Sequence, residues 1–493
     1  MNENNVNERG SWGSNIGFLL SAIGSAVGLG NIWGFPYKMG RSGGLTFLLV
    51  YLGLAIFVGF PVMLGELALG RKTACGPVNA YGRLSQKFKW LGWLAILAPF
   101  LIMTFYSVLG GYCIWYIIIN VIGLFSGGPA GGASFGAMLG KPMLMVGMTV
   151  LFMIICWIIN VNGVGGGIEK FNLVGMPALA VMLLIIIIKA WTLPNASEGL
   201  KFMFVPGYAV KAGFIEKAPS FVQVLTTAGG QMFFSLSLAM GAMITYGSYL
   251  DKKENLVKNS VVIVISDTLV ALMAGLAVIP AAVANGINQG VAVGDIKLGG
   301  PNLLFNTLQQ VFADMGTIGS LFGIIFFGLV LIAAISSAIS LVEAVSVTFI
   351  DHASAKGKEV NRKRTVSIVC VIITLIAFLV AADGLGSNGF APWQMFGMKG
   401  ATADWNADWL DFMDTWSEGL AMPLGAMFMA IMIGWEKLKE GTMFDTLKGE
   451  ISSGYNGEKV YPFWKICLRY ITPIGMFLIL LSCVSGYFGL GWF

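Results

Sequence analysis

The sequence has one histidine in 493 residues, little charge and no closely spaced cysteine pair. Each scarcity removes a class of chemistry. His352 alone leaves no histidine-based zinc site and no Ser–His–Asp arrangement. The six cysteines, at 75, 113, 156, 370, 467 and 483, form no CxxC pair, and all but Cys75 sit inside apolar runs. They read as small buried hydrophobes rather than redox or metal ligands. Charged residues make up 11% of the chain, against roughly 25% in soluble proteins. Hydrophobic residues reach 56% and mean hydropathy is +0.79. That much apolar surface cannot all be interior in water, so a soluble globular protein is excluded. The +5 net charge does not point to nucleic acid, because the basic residues fall in short loops without interleaved aromatics. The first dozen residues are polar and lack a basic stretch and a small-residue cleavage site, so no removed signal peptide is expected. GAMLGKP (136–142) lacks the spacing and the Ser/Thr of a phosphate loop, and GLGNIWG fails the dinucleotide spacing.

Long apolar runs are plentiful. They lie at about 14–37, 44–70, 91–124, 142–160, 168–191, 222–250, 257–284, 317–350, 365–382, 411–435 and 466–491. Each is long enough to cross a hydrocarbon core as a helix, the default where lipid cannot satisfy open backbone groups. The pattern predicts an all-α integral membrane protein with eleven transmembrane helices, spans one to eleven, embedded in a lipid bilayer. An odd number puts the termini on opposite sides. With the N-terminus inside, 21 of the 30 Lys and Arg fall in cytoplasmic segments and nine outside, which predicts a cytoplasmic N-terminus and an outer C-terminus. The outer stretch 383–418 carries Asp383, Asp404, Asp408, Asp411, Asp414 and Glu418 against one Lys399. It reads either as a solvated acidic loop or as a negative mouth that concentrates cations.

Two spans carry residues that disfavour an unbroken helix. Span one reads GSAVGLGNIWGFP (24–36), Gly-rich around a buried Asn31. Span six reads GGQMFFSLSLAMG (229–241), with Ser235 and Ser237 at its centre. If spans one to five and six to ten are inverted repeats, the two interruptions correspond. Such a pair points to a midplane site made by discontinuous helices. An unwound turn frees carbonyls for a cation and exposes a half-helix N-terminus that favours a carboxylate. The competing reading is Gly-mediated helix packing. In span eight, Ser336 and Ser337 either bond back to helix carbonyls or offer hydroxyls to a hard cation. Glu66, Asp267 and Glu343 lie within or near the ends of spans two, seven and eight, where a charge is costly, and each is a site candidate.

SAVGLGNIWGFPY, the PVMLGELALGR run, FYSVLGG, GGQMFFSLSLAMGAMITYGSY, AAISSAIS and RYITP together resemble segments of the neurotransmitter:sodium symporter family, in its bacterial amino-acid transporter branch, in family order and over essentially the whole chain. The resemblance implies two inverted five-helix repeats with broken helices one and six. The expected organisation is a cytoplasmic N-terminal gate segment (1–13), a first repeat (14–191), an outer loop (192–221), a second repeat (222–435), a cytoplasmic loop (436–465) and helix eleven (466–493). It implies a sodium-coupled symporter working by alternating access in a bacterial cell membrane, as a monomer or weak homodimer, and no enzyme.

The resemblance also implies roles. One sodium ion would meet the Ala26 carbonyl, Asn31, Ser235 and the substrate carboxylate. A second would meet carbonyls of Gly24, Val27 and Ala333 and the hydroxyls of Ser336 and Ser337. The substrate would meet Ala26, Gly28, Tyr106, Ser235, Ser337 and backbone N–H groups near Leu29 and Gly30, with Phe234 as a lid and Ile102, Ser237, Met240 and Leu341 at the side-chain end. Gly28 stands where monoamine carriers have Asp, which favours an amino acid. Asp267, near the first sodium site with Tyr51, Gln231 and Ser235 around it, would replace chloride, so no chloride requirement is expected. Arg9 with Asp351, Trp12, and Tyr249 with Glu343 would form the inner gate. At the outer gate the family's Arg is Gly34, while its acidic partner survives as Asp414. The favoured substrate is a neutral hydrophobic or aromatic L-amino acid. Cationic or larger amino acids are the alternative, because Gly34 leaves Asp414 above the pocket without that Arg. A channel or non-transporting receptor of the same fold would lack sodium-stimulated uptake.

Overall fold

The computed structural model describes residues 11–296, 298, 300–438, 441–452, 456–488 and 490. Nine of its helices are long and apolar enough to cross a membrane: Leu45–Thr73, Trp90–Ser126, Pro142–Val161, Val164–Trp191, Leu256–Asn288, Thr317–Ala355, Arg362–Asp383, Trp409–Trp435 and Gly457–Gly486. These are spans two to five and seven to eleven. Span one is a bent pair, Asn15–Ala26 and Gly30–Arg41, at 46° to each other. Span six is also interrupted, between Phe221–Ser235 and Ala242–Gly247. The breaks fall in the first helix of each set of five, as two inverted repeats require.

Exposed apolar residues recur at helical spacing, such as Val174, Val181 and Ile188 on span five, and Val261, Ile265 and Leu269 on span seven. The buried set holds Asn31, Glu66, Asp267, Ser336, Ser337 and Glu343. Apolar outside and polar within is the distribution expected in lipid. Spans three and eight run along each other and are flanked by spans four, five and nine. Spans one, two, six and seven pack together against this group.

Close packing of span two on span six rests on glycine. A Cβ at Gly70 would lie 2.0 Å from the Ile244 carbonyl oxygen, and one at Gly247 would lie 2.6 Å from that of Leu67. Gly70→Ala is therefore expected to destabilise the protein by roughly 1–3 kcal/mol through overpacking. Gly53→Ala, which meets nothing within 4 Å on the same helix, is expected to be neutral. Thermal unfolding of the two variants in detergent checks this.

The segment read as a loop at 436–465 is more structured than that. It holds a two-residue antiparallel ladder pairing Lys437 with Thr442, a helix at Met443–Ser452, and the start of the last helix at Gly457. Hydropathy missed these helical turns because they are amphipathic, with Lys448, Glu450, Lys459 and Lys465 among apolar residues. Arg71, at the end of span two, clamps the segment. Its guanidinium reaches Glu450 Oε2 at 2.8 Å and the Glu450 carbonyl at 2.7 Å.

Candidate functional site

The break in span one is held open by side chains. In a continuous helix the N–H of Gly28 would bond the Gly24 carbonyl and that of Leu29 the Ser25 carbonyl. Instead Gly28 N–H donates to Asn31 Oδ1 at 2.9 Å and Leu29 N–H to Tyr106 Oη at 3.0 Å. The carbonyls of Gly24, Ser25 and Val27 are left facing inward. Ser237 Oγ takes up the one on Ser25 at 2.7 Å.

The break in span six is built differently. Ser237, Ala239 and Gly241 all have positive φ, at 52°, 60° and 69°, a conformation that costs energy for the first two. Glu66 stabilises it, accepting from Ala239 N–H at 2.7 Å. Glu66 is thus brought to the break, fully buried, as a support for strained backbone.

Two oxygen clusters lie beside these breaks. In one, Ser336 Oγ lies 3.4 Å from the Val27 carbonyl and 2.9 Å from that of Ala333, and Ser337 Oγ lies 3.3 Å from the carbonyls of both Gly24 and Val27. All five groups assigned from the resemblance to the second sodium site meet here, and all are uncharged oxygens, the donor class a hard cation takes. In the other, Asp267 is central and wholly buried. Asn31 Nδ2 donates to its Oδ1 at 2.7 Å, Ser235 Oγ approaches its two oxygens at 3.1 and 2.9 Å, and Tyr51 Oη lies 3.4 Å from Oδ2. Gln231, expected around the acid, donates its amide N–H to the Gly30 carbonyl at 2.7 Å, which also accepts from Phe35 N–H in the π-helical stretch Gly30–Gly34.

Between the breaks lies a narrow cavity lined by Ala26, Gly28, Gly30, Ile102, Tyr106, Phe234, Ser237, Met240, Ser337 and Leu341. Of the twelve residues assigned to the substrate, only Leu29 and Ser235 stand behind its wall, Leu29 offering its N–H to Tyr106 and Ser235 its hydroxyl to Asp267. The Phe234 ring lies over Gly30, where a Cβ would be 2.6 Å from its Cδ1. A Cβ at Gly28 would come within 2.4 Å of Ser337 Oγ and 2.6 Å of Tyr106 Oη, so the structure has no room for a side chain at that position.

At one end of the bundle Trp12 plugs the space below the breaks, its indole N–H donating to the Tyr246 carbonyl at 3.2 Å and its ring meeting Phe18, Tyr246 and Tyr249 edge-on. Tyr249 Oη donates to Glu343 Oε1 at 2.7 Å. The sequence reading missed a third member, Arg362, whose guanidinium lies 2.5 Å from Glu343 Oε2. Asp351 accepts from Gly76 N–H at 2.6 Å, and its expected partner Arg9 lies outside the described residues. Glu169, also missed, ties down the start of span one by accepting from Gly13 N–H at 2.7 Å and Ser14 Oγ at 3.0 Å.

At the other end the acidic stretch is partly structural. Asp383 accepts from the Gly386 and Trp409 N–H groups, and Asp408 from that of Asp411, capping the start of span ten. Asp414 is not alone, because Lys38 and Glu418 form an ion pair at 2.5 Å beside it. Each lies four residues, about one helical turn, beyond Gly34 or Asp414, but that spacing does not show that the two meet.

Comparison with known proteins agrees with this architecture. The model of the sodium:neurotransmitter symporter family matches residues 9–123 and 139–492. An uncharacterized sodium-dependent transporter of Bacillus subtilis, YhdH, is 32% identical over 480 residues, covering 96% of this chain and 97% of its own. The sodium- and chloride-dependent GABA transporter 2 of mouse is 24% identical, covering 96% of this chain and 79% of its own. The crystal structure of MhsT in complex with L-phenylalanine superposes with a TM-score of 0.80 at 33% identity, covering 96% of this chain and all of that one. The chain therefore belongs to the sodium:neurotransmitter symporter family, as a sodium-dependent membrane transporter.

Proposed function

We propose that this protein couples two sodium ions to the uptake of one neutral hydrophobic or aromatic L-amino acid, without chloride, by alternating access. One observation carries the reading: a small, mainly apolar cavity whose polar wall is Tyr106, Ser337 and the interrupted backbone of span one, flanked by two oxygen clusters. A zwitterion suits it. The carboxylate turns to the Tyr106 hydroxyl and the Gly30 N–H and takes over the Leu29 N–H that Tyr106 Oη holds in the structure, and the side chain turns to Ile102, Met240 and Leu341. The missing Cβ at Gly28 keeps the polar end free of a fixed acid. L-phenylalanine in the structural relative supports the substrate class.

In this reading the Trp12 end is cytoplasmic and the Lys38 end faces outward, as the Lys and Arg bias favours. One ion lies at Asn31, Ser235 and Asp267 and touches the substrate; the other lies among Gly24, Val27, Ala333, Ser336 and Ser337 and ties span one to span eight. Phe234 closes over the pocket, then spans one, two, six and seven rock against the rest. Each sodium ion moving inward gains about 2.3 kcal/mol per 100 mV, so two drive strong accumulation of a zwitterion. Proteoliposomes with sodium, potassium or choline outside are expected to take up labelled phenylalanine or leucine only with sodium, with or without chloride. Competition by all twenty amino acids is expected to rank apolar and aromatic ones first; lysine or arginine ranking first would overturn the substrate class.

A further inference from the structure

Lys38 and Glu418 form the close ion pair at the outward end of the pocket, Nζ to Oε1 at 2.5 Å, with side chains 20% and 13% exposed. Lys38 sits in the second half of span one, two turns beyond Gly30. Glu418 sits in span ten, one turn beyond Asp414. Glu418 also abuts span six, because a Cβ at Gly230 would lie 3.3 Å from its Oε1, and Gly230 is one turn from Phe234. The pair therefore joins spans one, six and ten just outside the cavity. Asp414 is within electrostatic reach of both charges and of Asp411, and Cys483 of span eleven faces the same cluster.

A side chain at position 34 would have to displace the Gln231 amide. A Cβ there would be 2.7 Å from Gln231 Oε1, and Gln231 is held by its 2.7 Å bond to the Gly30 carbonyl. Lys38 is one turn farther along the same helix, about 6 Å by the rise of 1.5 Å per residue. Glu418 is displaced from Asp414 by the same interval on span ten. Cation and anion have moved outward together.

Resting on the symport reading above, we propose that Lys38 and Glu418 are the outer closing contact: the pair forms across the mouth when substrate is enclosed and breaks when the mouth opens. Span one belongs to the group of helices that rocks and span ten lies across from it, so a pair between them favours the closed state alone. Neutralising Lys38 removes the attraction that holds span ten to span one and leaves the Glu418 carboxylate in the closed mouth without its cation, which favours the open state where water reaches it.

The test uses the purified full-length protein with Lys38→Gln, Glu418→Gln, Lys38→Arg and the exchanged pair Lys38→Glu/Glu418→Lys. In sodium, release of pre-bound labelled phenylalanine is expected to be at least about tenfold faster in either neutralised variant, with the maximal uptake rate falling more than the half-saturating concentration changes. Lys38→Arg is expected to stay within about threefold of the unmodified protein, and the exchanged pair to recover most of the slow release. A cysteine at Ile102 serves as a reporter that needs no substrate, and its labelling by an impermeant thiol reagent is expected to be at least fivefold faster with Lys38→Gln. Release and labelling within twofold of the unmodified rates in both neutralised variants, or an exchanged pair no slower than either of them, overturns the proposal. If the unmodified protein binds no amino acid in sodium, the substrate reading fails instead, and the labelling rates still decide the closing contact.

Discussion

Asn31→Ala and Ser336→Ala are each expected to weaken sodium-dependent amino-acid binding by at least about a hundredfold, or ~2.7 kcal/mol. In the proposed assignment the two act on different ions. Asn31 makes three contacts at once, accepting from Gly28 N–H and donating to the Asp267 carboxylate and carbonyl at 2.7 and 3.1 Å. Removing it takes away the side chain that keeps span one unwound at Gly28 and, in the proposed assignment, an oxygen of the first ion. Ser336 contributes one hydroxyl, but to a cluster of uncharged oxygens in which every dipole counts. Alanine at 336 also leaves the Val27 carbonyl with only Ser337 as a hydroxyl neighbour. Titrating sodium against bound labelled amino acid separates the two effects from a folding defect, because both variants are expected to be monodisperse and helical. Near-normal sodium dependence in either would contradict that ion's assignment.

The spans and their interruptions were legible in the sequence for a physical reason. Lipid forces every crossing segment to announce itself as an uninterrupted apolar run, and a break must be marked by residues that tolerate it. Gly28 and Gly30 mark the first break and Gly241 the second, while the roles expected for Gly24, Ala26 to Asn31, Ser235, Ser237 and Met240 came from the family resemblance. Long-range charge pairs were not legible. Lys38 and Glu418 are 380 residues apart, and Glu343 meets Arg362 only because spans eight and nine are adjacent at that end. No local period encodes such partners, so the acidic stretch looked more exposed than it is. The direction of Gln231 was illegible for a related reason. Its partner is the backbone carbonyl of Gly30, and carbonyls carry no sequence identity.

Replacing Asp267 is expected to have the other large effect. The carboxylate is fully buried, with Asn31, Ser235 and Tyr51 presenting N–H or O–H groups to it. Among the described residues no Lys or Arg pairs with it. A buried charge without a partner costs several kcal/mol, and a sodium ion held by neighbouring Asn31 and Ser235 is the compensating charge the site lacks. In the proposed two-sodium cycle the dependence is mutual, because two cations entering with one zwitterion need a fixed negative charge nearby. Asp267→Asn keeps the volume and removes that charge, and is expected to abolish uptake at any chloride concentration below about 1 mM. Asp267→Ser opens space for an anion beside Tyr51 and Ser235, and is expected to recover uptake in proportion to added chloride, while the unmodified protein stays indifferent to it. Uptake in the Asn variant at the unmodified rate, or loss of uptake by the unmodified protein when chloride is replaced by gluconate, would show that Asp267 is not the anion of this transport cycle.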